Sequence, residues 1–295
     1  MFSGTIVALV TPFDQNGKVN YKKIRELVKF HLGQGTDALL PCGTTGESPT
    51  LSDDEKLKIF ETVVEAAGNK IPVIAGTGNY DTARSVQLTQ KAREIGVSAA
   101  LIITPYYNKP TQKGLYLHFK EIADNADLPL VVYNVPGRTG VNILPETVES
   151  LSDHPRIVAV KEASGNLGQI SELHKRVGKK LTILSGDDGL TLPILSIGGK
   201  GVISVTANIV PARIKEMIQA FFTNNHGRAL DLHQKLEDLN KVLFLETNPI
   251  PIKTAMNMMG FEMGGFRLPL CEMSEGNAAR LKAVLRNYQL LKPEA

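Results

Sequence analysis

Eight apolar runs rich in Val, Ile, Leu and Ala alternate with segments of helical periodicity over the first 224 residues. Most of these runs are continuous, without alternating polar residues, which is typical of strands buried on both faces of a parallel sheet. Eight strand and helix repeats favour a closed (β/α)8 barrel, a TIM barrel, over an open doubly wound sheet. We therefore predict an α/β fold with strands in the runs 5–10, 38–43, 72–78, 99–107, 128–136, 157–161, 181–188 and 201–208.

The helices between these runs carry local start and stop signals. Asn20 is placed to cap the first helix, and Ser52 with Glu55 forms a capping-box pattern for the second. Gly68 follows as a stop signal, and Pro145 suits the first position of a later helix. These signals agree with the alternation of strands and helices.

The last part of the chain, 225–295, exceeds what a barrel needs and contains no strand-like run. Apolar residues at helical spacing predict three helices, near 232–244, 252–259 and 278–291. No low-complexity or Gly/Ser linker separates them from the barrel. We predict two regions, a barrel in 1–224 and a C-terminal helical region in 225–295 that packs on it.

Charge and cysteine content limit the partners and the compartment. The chain has 33 Lys and Arg against 30 Asp and Glu, a formal charge of +3, without a basic run that would attract nucleic acid or membranes. Cys42 and Cys271 lie far apart without a CxxC, which indicates a reducing compartment and no disulfide. No signal-peptide pattern or membrane-length apolar stretch is present. We expect a cytoplasmic protein whose partners are small molecules, with no nucleic-acid or membrane partner.

The apolar run from residue 157 ends abruptly in Lys161. The active site of a barrel lies at the C-terminal ends of its strands, so this ammonium would lie at the mouth of the sheet. Burial disfavours the charged form of an amine, and only the neutral amine attacks a carbonyl to form a Schiff base. The alternative is a strand-end lysine that reaches back to water.

Other strands also end in polar residues. The GTTGE loop, 43–47, offers the hydroxyls of Thr44 and Thr45 and several main-chain N–H groups to a small carboxylate or phosphate, or it is only a tight turn. Tyr133 is either a proton-transfer group beside the lysine or a packing residue. Arg138 either grips a carboxylate with its planar fork or forms a surface salt bridge.

We assign no catalytic role to three further features: an aspartate pair, the histidines and the glycine-containing segments. Asp187 and Asp188 could form a carboxylate pair, but the local sequence favours capping of the helix that follows. The six histidines show no HExxH and no cluster with cysteine, so we expect no metal site. No P-loop occurs, and the segment 76–81, GTGNYD, lacks the third glycine of a dinucleotide fingerprint. We expect no cofactor.

Three spaced motifs carry a resemblance to a known family: GTTGE at 43–47, YNVPGRTG at 133–140 and IVAVKEASG at 157–165. Together they resemble the dihydrodipicolinate synthase family, the pyruvate-dependent class I aldolase-like barrels. The resemblance runs almost end to end and includes MFSGTIVALVTPF at the start, AGTG at 75–78, TPYYNKP at 104–110, SGDD at 185–188, GVISVTAN at 201–208 and NPIPIK at 248–253.

The resemblance implies a role for each matching position. Lys161 would be the Schiff-base lysine for pyruvate, and Tyr133, Thr44 and Tyr107 would form a proton relay to solvent, with Tyr107 reaching into a neighbouring subunit's site. The substrate-binding positions match without substitution: Thr45 with Thr44 for the pyruvate carboxylate, Gly186 and Ile203 for main-chain groups that line the pocket, and Arg138 for the carboxylate of the second substrate.

The activity implied by the resemblance is the condensation of pyruvate with L-aspartate 4-semialdehyde to 4-hydroxy-tetrahydrodipicolinate, a precursor of diaminopimelate and lysine. The family is commonly a homotetramer, a dimer of dimers. One alternative is another pyruvate-dependent aldolase similar to N-acetylneuraminate lyases, which typically have a serine in the GTTGE loop and lack an arginine at the place of Arg138. A barrel-shaped binding protein without catalysis is the other alternative.

Lysine-inhibited members of the family bind lysine in a cleft that would fall here at Ser48, Pro49, Asp53, Lys56, Tyr80, Arg84 and Tyr106. Those members carry histidine, asparagine and glutamate at the places of Lys56, Tyr80 and Arg84. Arg84 reverses the sign of the charge that would face a lysine ammonium, and Tyr80 adds bulk. We therefore expect weak or absent feedback inhibition by lysine, with the orientation of Asp53 left open.

Overall fold

All eight predicted strands are present in the computed structural model, which describes residues 2–291. They pair in parallel, and the sheet order is second, first, eighth, seventh, sixth, fifth, fourth, third. Main-chain hydrogen bonds from Leu39 to Pro72 (3.1 Å) and from Gly76 to Pro41 (3.0 Å) join the second strand to the third and close the barrel. The predicted TIM barrel is confirmed, with β1 (Gly4–Ala8), β2 (Ala38–Leu40), β3 (Ile74–Gly76), β4 (Ala99–Ile103), β5 (Leu130–Asn134), β6 (Ile157–Glu162), β7 (Thr182–Ser185) and β8 (Gly201–Ser204).

Alternate residues of each strand face the barrel interior and the surrounding helices. In β1, Ile6 and Ala8 belong to the interior cluster, whereas Val7 packs with the helices. This two-residue period decides which side chains at the strand ends turn toward the barrel mouth.

The strands are shorter than the apolar runs predict, because the chain leaves extended geometry as it reaches the rim. The run 38–43 gives a strand of three residues, and Cys42 beyond it adopts a left-handed backbone with φ 55°. The run 201–208 gives a four-residue strand followed by a short 3₁₀ turn, Thr206–Asn208. The rim segments are therefore loops, which suits residues that bind ligands.

The helical start and stop signals are confirmed. The side chain of Asn20 accepts from the main-chain N–H of Lys23, and Ser52 and Glu55 form both bonds of a capping box. Gly68 ends that helix in a left-handed conformation. The helices are α1 (Tyr21–Gly33), α2 (Asp53–Ala67), α3 (Thr82–Ile95), α4 (Gln112–Ala126), α5 (Pro136–Thr139), α6 (Pro145–Leu151), α7 (Leu167–Val177), α8 (Thr191–Ser196), α9 (Pro211–Phe222), α10 (His226–Val242), α11 (Ile250–Met258) and α12 (Glu275–Asn287).

The three C-terminal helices α10, α11 and α12 are present, with boundaries that differ from the predicted ones. Helix α10 begins six residues earlier than predicted, because the Asn225 side chain caps it. Helix α12 ends before 291, where Gln289 takes a left-handed backbone. Helix α10 packs against α9, and leucines of both regions share one hydrophobic cluster. Residues 292–295 of the predicted C-terminal region lie outside the described residues.

Within residues 2–291, no helix combines the length and the apolar character needed to cross a bilayer.

Candidate active site

Lys161 lies near the end of β6 on the side of the strand that faces the barrel. Ala159, two residues earlier, belongs to the interior cluster, so Lys161 shares its face. In the parallel register Lys161 pairs with Tyr133 of β5, and its Nζ lies 4.1 Å from the centroid of the Tyr133 ring. Lys161 is only 6% exposed. The alternative of a lysine that reaches back to bulk water is therefore wrong.

Gly186 follows β7 and leaves the space that the Lys161 side chain occupies. A Cβ at this position would lie 3.0 Å from Lys161 Cε and 2.7 Å from Ala163 Cβ. The distance to Ala163 is shorter than real Cβ contacts, and the one to Lys161 is unusually tight, so a larger residue would force Ala163 and the lysine chain to shift. Gly186 therefore packs against the amine-bearing side chain, as expected of a pocket position.

The GTTGE loop folds into a tight turn that leaves donors available. Its main-chain bonds run from Gly46 to Gly43 (3.1 Å) and from Glu47 to Thr44 (3.1 Å). The main-chain N–H groups of Thr44 and Thr45 find no acceptor within residues 2–291. The tight turn is therefore confirmed, and it presents neighbouring donors to the cavity that it lines. Binding of a small carboxylate or phosphate by these donors stays a prediction.

Asn248 connects the GTTGE loop with Arg138. Its Nδ2 donates to Thr45 Oγ1 at 3.1 Å, and its carbonyl oxygen accepts from an Nη of Arg138 at 3.0 Å. Arg138 lies in the short helix α5, which Pro136 opens. The partner of the guanidinium in the described part of the chain is this carbonyl oxygen and not a carboxylate, so the surface salt-bridge alternative is wrong.

These side chains surround an open cavity of about 770 Å³ at the C-terminal mouth of the barrel. Its inner wall contains six of the predicted residues: Thr44, Thr45, Tyr133, Arg138, Lys161 and Gly186. The strand ends bring together a primary amine, a phenol, two hydroxyls, free N–H donors and a guanidinium. Such a set can bind a carboxylate and form an imine with a carbonyl beside it.

Two predicted residues do not line this cavity. Ile203 of β8 is buried in the barrel interior with Tyr133 and Leu184. Tyr107, on the loop after β4, is 93% exposed and has a left-handed backbone with φ 66°. Their predicted roles, a main-chain contact for Ile203 and a contribution to a neighbouring site for Tyr107, stay predictions.

The prediction that Asp187 and Asp188 cap the following helix is wrong. No side chain caps α8, which begins after Leu190. Asp188 is fully buried and accepts from the Val205 N–H (2.9 Å), the Thr206 N–H (3.2 Å) and the Ser204 hydroxyl. Burial raises the pKa of the Asp188 carboxyl, and these hydrogen bonds act in the opposite direction. Asp188 thus fixes the end of β8.

Glu162 follows the lysine in sequence but faces the other side of β6. It is buried and accepts from the Ser164 N–H at 2.7 Å and from Asn134 Nδ2 at 3.1 Å. Burial raises the pKa of this carboxyl, whereas the hydrogen bonds lower it. Glu162 therefore braces the strands that carry Lys161 and Tyr133 and has no contact with the cavity.

Sequence reasoning missed the outer wall of the cavity, which comes from the C-terminal region. Helix α10 contributes His233, Glu237, Asn240 and Lys241 to it, and Phe244 follows just after the helix. It also missed a buried ion pair between the GTTGE loop and helix α11, in which Lys253 Nζ lies 2.8 Å from Glu47 Oε1. The only local signal was Lys253 itself, a lone charge on the apolar helix α11.

A second cavity, of about 300 Å³, adjoins the first and shares Thr44, Tyr133 and Arg138 with it. It contains six of the seven residues predicted for a regulatory cleft: Ser48, Pro49, Lys56, Tyr80, Arg84 and Tyr106. The seventh, Asp53, binds Arg84 through two hydrogen bonds of 3.0 and 3.2 Å. We refer to this space as the side cavity.

Comparison with known proteins decides the family. A model of the dihydrodipicolinate synthetase family matches residues 1–288. The chain belongs to this family. It is 53% identical over 292 residues to a 4-hydroxy-tetrahydrodipicolinate synthase of Thermodesulfovibrio yellowstonii, covering 99% of this chain and 100% of the relative. It is 51% identical to the synthase of Citrifermentans bemidjiense, again over 99% of this chain and 100% of the relative.

Solved structures of the dihydrodipicolinate synthetase family give the same result. The crystal structure of the dihydrodipicolinate synthase from Aquifex aeolicus is 50% identical and superimposes with a TM-score of 0.97, over 99% of this chain and 100% of that one. The predicted resemblance is therefore confirmed, and the protein is an enzyme with the synthase activity of its family, in diaminopimelate and lysine biosynthesis. These relatives are synthases, which disfavours the lyase-like alternative.

Proposed function

We propose that the enzyme works through a Schiff base between pyruvate and Lys161. The observation that carries this proposal is the buried Lys161 amine beside the Tyr133 ring, within a cavity that also contains unused N–H donors. Nζ adds to the ketone carbon of pyruvate, and the resulting carbinolamine loses water to give the imine. Loss of a methyl proton then gives the enamine, which forms a carbon–carbon bond to the aldehyde of L-aspartate 4-semialdehyde. Attack by the amino group of that substrate closes the ring and releases Lys161.

Several residues would assist these steps. Tyr133 can pass protons to and from the carbinolamine oxygen, because a phenol serves as donor and acceptor. The free N–H groups and hydroxyls of Thr44 and Thr45 suit the pyruvate carboxylate. We assign Ile203 to the pocket through its main-chain groups, next to Ser204, whose position Asp188 fixes.

The experiment that tests the mechanism is borohydride reduction in the presence of pyruvate. We expect a stable pyruvate adduct on Lys161, located by peptide mass spectrometry. Folded enzyme that turns over substrate without forming this adduct would exclude the Schiff base.

We propose that Arg138 binds the carboxylate of the aldehyde substrate. Its guanidinium lines the cavity and is oriented by Asn248. Arg138→Ala is expected to lower kcat/KM for the aldehyde about 100-fold, the scale of lost hydrogen bonds to a charged group. Arg138→Lys keeps the charge without the fork and should recover only part of this loss. Borohydride trapping of pyruvate should be unchanged in both variants, and an equal loss of trapping in Arg138→Ala would contradict the assignment.

We propose that Tyr107 completes the proton relay from a neighbouring subunit of a homotetramer, a dimer of dimers. Its high exposure and its position outside the cavity of its own chain are compatible with this role. Tyr107→Phe is expected to lower kcat about tenfold or more, with Tyr116→Phe on α4 as the control. Sedimentation velocity at assay concentration should show a species larger than a monomer. A fully active monomer would contradict the proposal.

We propose that lysine inhibits this enzyme weakly or not at all. Lys56 and Arg84 both line the side cavity, and the Asp53 carboxylate that could attract an ammonium is bound by Arg84. A lysine ligand would therefore meet like charge. Activity measured against L-lysine at saturating pyruvate should change little at concentrations comparable with those of the substrates. Strong inhibition in that range would contradict the charge argument.

We also propose that residues 225–291 form an appendage whose function is to complete the active site of the 1–224 barrel. Support comes from α10, which lines the catalytic cavity, and from Asn248, which binds both Thr45 and Arg138.

A further inference from the structure

The side cavity contains a lysine without a partner. Lys56, on α2, is 6% exposed, and its ammonium makes no hydrogen bond or ion pair within residues 2–291. Burial lowers the pKa of this group, and the Asp53 carboxylate acts in the opposite direction. A buried cation without a counter-ion is costly, so a bound anion would be strongly favoured beside it.

The carboxylates nearest to Lys56 on α2 are already engaged by arginines. Asp53 binds Nε and one Nη of Arg84, and Glu55 binds two nitrogens of Arg267 at 2.6 and 2.8 Å. The second Nη of Arg84 has no partner in the described part of the chain. Together, Lys56, Arg84 and Asp53 carry a formal charge of +1 at this end of the cavity.

Apart from Arg138, which borders both cavities, the other donors named here are neutral. Ser48, Tyr80 and Tyr106 line it, and the two tyrosine rings meet edge to face with centroids 5.2 Å apart. Burial raises the pKa of the Tyr106 phenol, so it keeps its proton and can donate. No Asp or Glu is among the lining residues that the structure describes. The space is thus electropositive, rich in donors and free of competing carboxylates.

We propose that the side cavity binds a small oxyanion, a carboxylate or phosphate, with Lys56 as its principal counter-charge. A compact ammonium suits either group, and the hydroxyls and the free Arg84 nitrogen can complete the shell of hydrogen bonds. The volume of about 300 Å³ fits a ligand of a few heavy atoms. Because Thr44, Tyr133 and Arg138 also border this cavity, a bound anion would lie beside the groups assigned to catalysis. The proposal itself concerns binding and is independent of the Schiff-base mechanism.

Isothermal titration calorimetry tests the site, with sodium phosphate and sodium glutarate titrated separately into the full-length protein at fixed pH and ionic strength. We expect saturable binding of at least one of them. Lys56→Met should weaken the affinity about tenfold or more, the scale of one hydrogen bond to a charged group. The matched control is Lys58→Met, which removes the same charge two residues along α2, where the lysine is exposed above the Tyr21 ring.

Binding that is weakened in Lys56→Met and kept in Lys58→Met supports the proposal. Phosphate alone, glutarate alone or both then identify the preferred oxyanion. The absence of saturable binding overturns it, as does an affinity that is unchanged in Lys56→Met, because the anion would then occupy Arg138 or another site. Should Lys56→Met fail to fold, Arg84→Met removes the second cation, and a severalfold loss of affinity is expected. An unchanged affinity in that variant would equally overturn the proposal.

Discussion

Lys161→Met is expected to lower kcat by about 10⁴-fold or more, the scale observed when a covalent nucleophile is removed. Methionine has almost the length of lysine, so it should fill the space between the Tyr133 ring and Gly186 without the amine. The variant should therefore fold, which a thermal melt can check. Steady-state turnover measures the activity, and borohydride reduction with pyruvate should trap no adduct.

The matched control is Lys241→Met. Lys241 also lines the cavity, but from the outer wall on α10, where it pairs with Glu237 at 2.6 Å. This control should keep turnover within a few-fold and should still form the pyruvate adduct. Trapping of pyruvate on any lysine in folded Lys161→Met, together with substantial turnover, would show that the nucleophile was assigned to the wrong residue.

The inner wall of the site could be predicted from sequence because it depends on local periodicity. Once β5 and β6 are neighbouring parallel strands, the alternation along each strand turns Tyr133 and Lys161 to the same side. The loops after β2 and β7 then reach the same rim, since all parallel strands end there. The order of the strands and the alternation of side chains along them are sufficient to predict this part of the site.

The outer wall could not be predicted in this way. A helical pattern in α10 shows which of its residues are apolar but not that Asn240 and Lys241 line the cavity at the barrel mouth. Asp188 illustrates the same limit, because its partners Ser204 and Val205 belong to the next strand and its rim. Local capping rules consider only the nearest helix, whereas a buried carboxylate takes whichever donors the tertiary structure supplies.

The ion pair between Glu47 and Lys253 joins positions 206 residues apart, and the lone Lys253 on α11 does not show which residue is its partner. Both side chains are 0% exposed, with Nζ 2.8 Å from Oε1. Glu47 also accepts from the Arg267 N–H at 3.3 Å, and the ammonium lies 4.0 Å from the centroid of the Phe13 ring. Burial lowers the pKa of Lys253, while the Glu47 carboxylate acts in the opposite direction.

This ion pair anchors the GTTGE loop to helix α11. Glu47 has a left-handed backbone with φ 56°, a conformation that costs a non-glycine residue about 1–2 kcal/mol. The contacts of the Glu47 side chain offset that cost. They thereby stabilise the turn that also contains Thr44 and Thr45. Asn248 holds Thr45 from the segment that leads into α11, the helix that carries Lys253. The C-terminal region therefore holds the loop at two points.

Lys253→Met is accordingly expected to destabilise the protein by about 3–5 kcal/mol, the cost of leaving one partner of a buried ion pair uncompensated. Urea unfolding of the variant measures this loss, provided that the transition is reversible. The double variant Glu47→Gln with Lys253→Met should recover a large part of the loss, because the unpaired charge is then removed as well. Lys241→Met breaks an exposed pair and should cost no more than about 1 kcal/mol. If Lys253→Met costs no more than Lys241→Met, the buried pair does not anchor the loop, and the position of Thr44 and Thr45 must depend on Asn248 and the turn itself.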